Sequence, residues 1–328
     1  MVNIAFFSTK PYDRIWFEPL GEEYGYRFIF FESKLSIETV SLAAGCNGVC
    51  AFVNDNIDGD VINELADIGV ETIYMRCAGY NNVDLEAAKG KLKVLHVPGY
   101  SPEAVAEYAV ALLMTINRHT HRAYLRTRDF NMNINGLMGT DLYCKIIGII
   151  GTGRIGQAMI NIAKGFGMRV LAYDLYPNPS LGVEYVELDE LLEKSDVISL
   201  HCPLTKETEY ILDKRSFDIM KDGVYIVNTS RGGLIKTEDL IDALLVPGKI
   251  AGVGLDVYEE EADVFYEDRS NEIMRDNNLA RLMTFPNVIV TSHQGYFTTE
   301  AMQAIAIETM ENIFAVENGN ELVNEVKK

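Results

Sequence analysis

One stretch of this chain has the residues needed to meet a phosphate. Gly151-Thr-Gly153-Arg-Ile-Gly156 follows the apolar run KIIGII and opens a segment of helical period. In a strand–turn–helix unit the first glycine allows the tight turn and the second lets the backbone approach a pyrophosphate. The third permits close packing of helix on strand. The first N–H groups of the helix then face the phosphates, with the positive end of the dipole behind them. The next apolar run, RVLAYD, ends in Asp174, placed where a carboxylate accepts from a ribose 2′-OH and repels a 2′-phosphate. The pattern predicts a dinucleotide site made by Gly151, Gly153, Gly156 and Asp174, taking NAD in preference to NADP. Ile155 lies inside the loop, and Arg154 reads either as a pyrophosphate contact or as a solvated loop arginine.

Other side chains with chemistry are less self-evident. There are five histidines: His96, His119, His121, His201 and His293. Histidine is the side chain whose ordinary titration range suits proton transfer near neutral pH. His119 and His121 fall at the end of a helical segment, where the negative end of the dipole favours a cation. His96 ends one strand-like run and His201 follows another. The five cysteines are an odd number with no CxxC pair, which predicts reduced, mostly buried thiols and no metal site.

The elements that must position these residues follow from the apolar pattern. Strand-like runs occur at 4–7, 28–31, 49–52, 72–75 and 92–97, then at 146–150, 170–173, 197–200, 224–227, 250–256 and 288–291. Amphipathic stretches such as 60–68, 157–166, 188–194, 217–220 and 237–245 separate them. Apolar strands alternating with helices predict parallel sheets covered on both faces. A helix from Pro102 to about Arg118, with Ser101 as its cap and proline at its first position, sits where a second domain begins. A C-terminal helix starts near Thr299 and stops at Gly319. The expected fold is α/β, with two Rossmann-like or flavodoxin-like parallel-sheet domains. Residues 1–100 with 299–328 form the substrate-binding domain and 101–298 the dinucleotide-binding domain. Ligands bind at the carboxyl ends of strands in such sheets, so the active site is expected in the cleft between the domains.

The chain has 328 residues, 48% of them hydrophobic and 23% charged, enough for sizeable cores. With 29 Lys and Arg against 48 Asp and Glu, the net charge is −19. That charge argues against nucleic acid and against an anionic membrane surface as partners. The first residues show no charged leader, and no apolar run reaches membrane-spanning length, so the expected compartment is the cytoplasm.

The sequence resembles the D-isomer-specific 2-hydroxyacid dehydrogenases, and looks most like their fermentative D-lactate dehydrogenase branch. The resemblance runs over essentially the whole chain. It is carried by MRCAGYNNVD (75–84), PGYSPEAVAEYAV (98–110), GIIGTGRIG (148–156), LHCPLT (200–205), VNTSRGG (227–233), GLDVYEEE (254–261) and TSHQGYFTTEA (291–301). The stretch ADVFYEDRSNEIMRDNNLARLMTF that follows Glu261 also resembles the lactate branch.

The resemblance implies a catalytic trio of Arg231, Glu261 and His293. These residue types suit the reduction of a 2-oxo acid. A guanidinium binds the carboxylate and polarises the ketone, a histidine supplies the proton, and a neighbouring carboxylate stabilises the imidazolium. By themselves, an arginine in an acidic chain and one glutamate in the run 259–261 also read as solvated surface charges. The resemblance further implies that His201, Cys202, Pro203, Thr229 and Ser230 line the cofactor cleft and that Asp256 accepts from the nicotinamide carboxamide, unless it caps its strand. It implies that Ala78 and Gly79 offer N–H groups to the substrate carboxylate, with Tyr100 and Tyr296 closing the pocket. Lys10 or Tyr12, in the first loop, is expected to lean over the site. Lactate enzymes often have Ala and Phe at positions 295 and 296, where this chain has Gly295 and Tyr296, and the glycine is expected to free a little volume.

The function implied is reduction of pyruvate to D-lactate with NADH. Larger aliphatic or aromatic 2-oxo acids are the alternative substrates, and a non-catalytic NAD(H)-sensing corepressor is the alternative class. The resemblance also implies a homodimer, with the helix from Pro102 as one candidate contact.

Overall fold

Strands that are apolar without alternation must be covered on both faces, which favours parallel pairing with helices above and below. The computed structural model, which describes residues 2–326, has this organisation in each of two units. The first unit is Met1–Ser101 together with Phe297–Lys328, and the second is Pro102–Tyr296.

In the first unit β1 (Asn3–Phe6), β2 (Arg27–Phe30), β3 (Gly48–Ala51), β4 (Thr72–Met75) and β5 (Lys93–Leu95) form one sheet. Its order is β2-β1-β3-β4-β5, and every pairing is parallel. The C-terminal helix Thr299–Glu317 belongs here: the Thr298 hydroxyl accepts from the Ala301 N–H to start it, and it packs on β4 and on the helix Pro11–Tyr24. That last helix carries Pro19 and Gly21 in its interior, which hides it from a reading by periodicity.

A buried ionic cluster ties the carboxyl ends of these strands together. Arg76 is 3% exposed, with its Nε 3.5 Å from Asp13 and one Nη donating to the Ser8 carbonyl at 2.9 Å. The guanidinium also lies over the rings of Phe6 and Phe52. Asp55, equally buried, accepts from the Ser8 hydroxyl and from the N–H groups of Leu35 and Phe52.

In the second unit β6 (Ile146–Ile150), β7 (Arg169–Tyr173), β8 (Glu184–Tyr185), β9 (Val197–Leu200), β10 (Val224–Asn228), β11 (Ile250–Leu255) and β12 (Val288–Val290) form a seven-stranded parallel sheet. The order β12-β11-β10-β9-β6-β7-β8 reverses between β6 and β9, which is where a doubly wound sheet opens a crevice for ligand. The two-residue β8 and the helices Thr120–Arg128 and Asn277–Thr284 go beyond the elements expected from sequence.

The helix Pro102–Arg118 packs on β10 and β11 and buries Ala106, Ala109, Leu112, Leu113 and Ile116 in this unit's core, so its apolar face is used within the chain. The dipole reading of His119 and His121 needs charged rings. Burial holds both below the ordinary histidine range, and His119 instead precedes the next helix in a left-handed conformation.

Removing one partner from a buried ion pair leaves an uncompensated charge. Arg76→Met should therefore destabilise the chain by about 3–5 kcal/mol in urea unfolding. Arg169→Met, which removes an exposed pair with Glu184, should change stability by only about 0–1 kcal/mol.

Candidate active site

β10, β11 and β12 are neighbours in the sheet, and Arg231, Glu261 and His293 each follow one of them. The turn that bears His293 is organised by Asp256, which is 1% exposed at the end of β11. Its Oδ1 accepts from the Thr291 hydroxyl (2.6 Å) and the Gln294 N–H (2.9 Å), and its Oδ2 accepts from the Gly295 N–H (2.7 Å). Its backbone carbonyl accepts from the His293 N–H at 2.7 Å. Burial pushes the Asp256 carboxyl up, against the pull of those three donors. Of the two roles read for Asp256 from the sequence, these bonds describe the cap.

His293 itself has φ +54°, in the left-handed region that side chains other than glycine rarely enter. Its Nδ1 lies 2.7 Å from Glu261 Oε1, while Glu261 Oε2 accepts from the Tyr258 N–H at 3.0 Å. A carboxylate only accepts, so Nδ1 carries the hydrogen in this pair. Nε2 has no protein partner among the described residues. Of the three consecutive glutamates, Glu259 instead accepts from Tyr210 and Thr237, and Glu260 is exposed. Tyr266, also at positive φ, donates its hydroxyl to the His293 carbonyl at 3.0 Å.

Arg231 precedes the short turn Gly232–Leu234, and its Nη1 donates to the Ser230 carbonyl at 2.6 Å. Gly232 lies so close to the loop leading to Glu261 that a Cβ there would be 2.0 Å from the Tyr258 carbonyl. Among the described residues no carboxylate comes within ion-pairing distance of Arg231. In a chain of net charge −19, a half-buried guanidinium left in this state can hold an external carboxylate by two hydrogen bonds.

The glycine loop lies between β6 and the helix Arg154–Gly165. Gly151 has φ +94°, and a Cβ on it would be 2.5 Å from the Cys202 nitrogen; one on Gly156 would be 2.1 Å from the Gly151 carbonyl. A Cβ on Gly153 would meet nothing within 4 Å, and no side chain caps the helix that starts there. Open space before uncapped N–H groups fits a pyrophosphate. Ile155 is half-buried and Arg154 exposed.

Asp174 follows β7. Although burial pushes its carboxyl up, the N–H groups of Thr152 and Tyr176 and the Thr152 hydroxyl hold it below the ordinary range. Two buried polar atoms nearby in the fold are unpaired, the Thr229 hydroxyl after β10 and Nδ1 of His201 after β9. The other ring nitrogen of His201 bonds Ser199, and burial pushes this histidine down to about 4, so it is neutral. Burial pushes the Cys202 thiol up to about 12. The carbonyl of Cys202 accepts from Ser230 and that of Pro203 from Thr208.

In the first unit Ala78 and Gly79 follow β4, and among the described residues their N–H groups have no acceptor. His96 donates from Nδ1 to the Ala78 carbonyl at 2.9 Å and so fixes this turn. Tyr100 is half-buried, while the ring of Tyr12 packs edge-on against Phe297. In the second unit Tyr296 is buried. The volume expected from Gly295 is not free, because a Cβ there would be 3.0 Å from Asp256 Oδ2 and 3.5 Å from Tyr108. The Tyr108 hydroxyl in turn accepts from the Gln294 amide at 2.6 Å. His96, Tyr108 and Tyr266 have no sequence signal for these roles, since each acts through a backbone or side-chain contact distant along the chain.

Residues 110–295 match the family model described as D-isomer specific 2-hydroxyacid dehydrogenase, NAD binding domain. The chain is 49% identical to the D-lactate dehydrogenase of Escherichia coli strain K12, over 99% of this chain and 100% of that protein. Among solved structures, the pyruvate reductase of Chlamydomonas reinhardtii superposes with a TM-score of 0.93 at 40% identity, covering 99% of this chain and 98% of that one. The D-lactate dehydrogenase of Lactobacillus jensenii, solved with NAD+, superposes with a TM-score of 0.82 at 34% identity, with both chains fully covered.

The three glycines should respond differently to substitution. Gly153→Ala should melt with the parent protein yet bind NADH more weakly in a fluorescence titration, because its Cβ enters only the open space. Gly156→Ala should lower the melting temperature, because its Cβ meets backbone.

Proposed function

Because the chain belongs to the D-isomer-specific 2-hydroxyacid dehydrogenase family and binds NAD, we propose that it is a D-lactate dehydrogenase reducing pyruvate to D-lactate. The observation that carries this reading is the pairing of His293 with Glu261, together with Arg231, which no carboxylate neutralises among the described residues. Bound NADH supplies the hydride. Arg231 takes the substrate carboxylate and draws electron density from the adjacent ketone. The N–H groups of Ala78 and Gly79 suit a substrate carboxylate as well. His293 delivers the proton from Nε2 to the oxygen that becomes the alcohol. Glu261, on Nδ1, stabilises the charged ring before transfer and keeps its orientation afterwards. In the oxidative direction the same Nε2 must start unprotonated.

A homodimer in the cytoplasm is part of the same reading. The helix Thr120–Arg128 buries none of its side chains, and the segment after it exposes Phe130 (88%), Met132, Ile134, Met138 (90%) and Tyr143. Apolar surface gathered on one short stretch of chain suits a protein partner. Four of the five cysteines are buried free thiols, which suits a reducing compartment.

The activity is tested with purified protein, NADH and a panel of 2-oxo acids, with the chirality of the product determined. Pyruvate is expected to give the highest kcat/KM and the D-alcohol. Fastest turnover of a larger 2-oxo acid would replace the substrate, and no NADH oxidation with any of them would overturn the enzyme. His293→Ala should lower kcat about a hundred- to ten-thousand-fold with NADH affinity retained. For the assembly, sedimentation equilibrium should give a dimer, and Phe130→Asp with Met138→Asp should give a folded monomer.

A further inference from the structure

Asp174 sits at the end of a chain of hydrogen bonds that the dinucleotide motif does not contain. Thr152 donates to Asp174 Oδ2 twice, from its N–H at 2.6 Å and from its hydroxyl at 2.9 Å. Tyr185, from the two-residue strand β8, places its hydroxyl 3.0 Å from Thr152 Oγ1. The Asn178 N–H donates to the Tyr185 hydroxyl at 3.1 Å.

The direction of this chain is forced. An ionised carboxylate only accepts, so the single hydroxyl proton of Thr152 goes to Asp174, and Thr152 must receive its own bond from Tyr185. Tyr185 has then spent its proton and receives from Asn178. Thr152 is 4% exposed, so this chain is shielded from competing water at its centre. Oδ2 thus has two donors, whereas Oδ1 has one, the Tyr176 N–H at 2.8 Å. Oδ1 keeps the more open acceptor position for a ligand.

We propose that Tyr185 and Thr152 are positioning residues for cofactor choice, fixing the ionised Asp174 carboxylate so that it accepts from a ribose 2′-hydroxyl and repels a 2′-phosphate. A carboxylate that rotates or takes up a proton does neither well, so the discrimination between NADH and NADPH depends on residues that need not touch the dinucleotide. The proposal rests on Asp174 being the ribose partner.

Both parts are tested by measuring Kd for NADH and for NADPH by fluorescence titration of Asp174→Ala, Thr152→Val, Thr152→Ser and Tyr185→Phe, with thermal unfolding as a check on folding. Asp174→Ala should abolish the preference for NADH. Thr152→Val should reduce the preference about ten- to a hundred-fold, the value of a hydrogen bond to a charged group. Thr152→Ser should restore it, and Tyr185→Phe should reduce it about three- to ten-fold. The Thr152 hydroxyl helps hold Asp174 below the ordinary carboxyl range. On acidification, Thr152→Val should therefore lose its remaining preference at a higher pH than the parent does. If Asp174→Ala leaves the preference intact, the ribose role fails and this proposal fails with it. If Asp174→Ala loses the preference while folded Thr152→Val and Tyr185→Phe keep the parent ratio, the positioning role alone is overturned.

Discussion

The site depends on a backbone conformation that histidine does not adopt unaided. His293 sits at φ +54°, a conformation that costs on the order of 1–3 kcal/mol and persists only where the surroundings enforce it. Here the enforcement comes from Asp256, whose two oxygens and carbonyl together take four hydrogen bonds from residues 291–295. The Tyr266 hydroxyl adds a fifth bond, to the His293 carbonyl. With the main chain held in this way the ring meets Glu261 through Nδ1, and Nε2 has no partner among the described residues. The buried carboxylate of Asp256 organises the turn that bears His293, and it tolerates burial because its donors come with the turn itself.

The parts legible in the sequence are those fixed by local pattern. The glycine spacing 151–153–156 predicts a strand, a turn and a helix because each glycine answers a short-range steric demand, and the Cβ contacts at Gly151 and Gly156 are of that kind. Long apolar strands such as Ile146–Ile150 are legible for the same reason. The two-residue β8 falls below any periodic signal, and the helix Pro11–Tyr24 is masked by its internal Pro19 and Gly21. Glu259, Glu260 and Glu261 are indistinguishable as a run of charges, and only the tertiary position of the loop separates them. The same is true of Arg231, whose lack of a carboxylate partner among the described residues is set by elements distant along the chain.

Net charge gives the site its electrostatic setting. A body carrying −19 repels small anions at long range, yet at physiological ionic strength that field fades over roughly 8 Å. Within that distance the guanidinium of Arg231, which has no carboxylate partner among the described residues, is a local positive charge. Of the acidic run 259–261, Glu259 accepts from Tyr210 and Thr237, and Glu261 is held by His293 and Tyr258. The acid–base balance of the whole chain therefore says little about the charge of the ligand.

The covalent order of the two units has a consequence for synthesis. The second unit is one continuous stretch, Pro102–Tyr296, whereas the first is completed only by the helix Thr299–Glu317 and by the bridge from Leu95 to Glu325. On a ribosome working from the N-terminus, the five strands of the first unit emerge early and must wait for the helix Thr299–Glu317 to cover them. The unit inserted in the middle is complete in sequence before the first one is. Until the helix Thr299–Glu317 has been made, the surfaces of β4 and of the helix Pro11–Tyr24 that receive it stay open to chaperones or to neighbouring nascent chains.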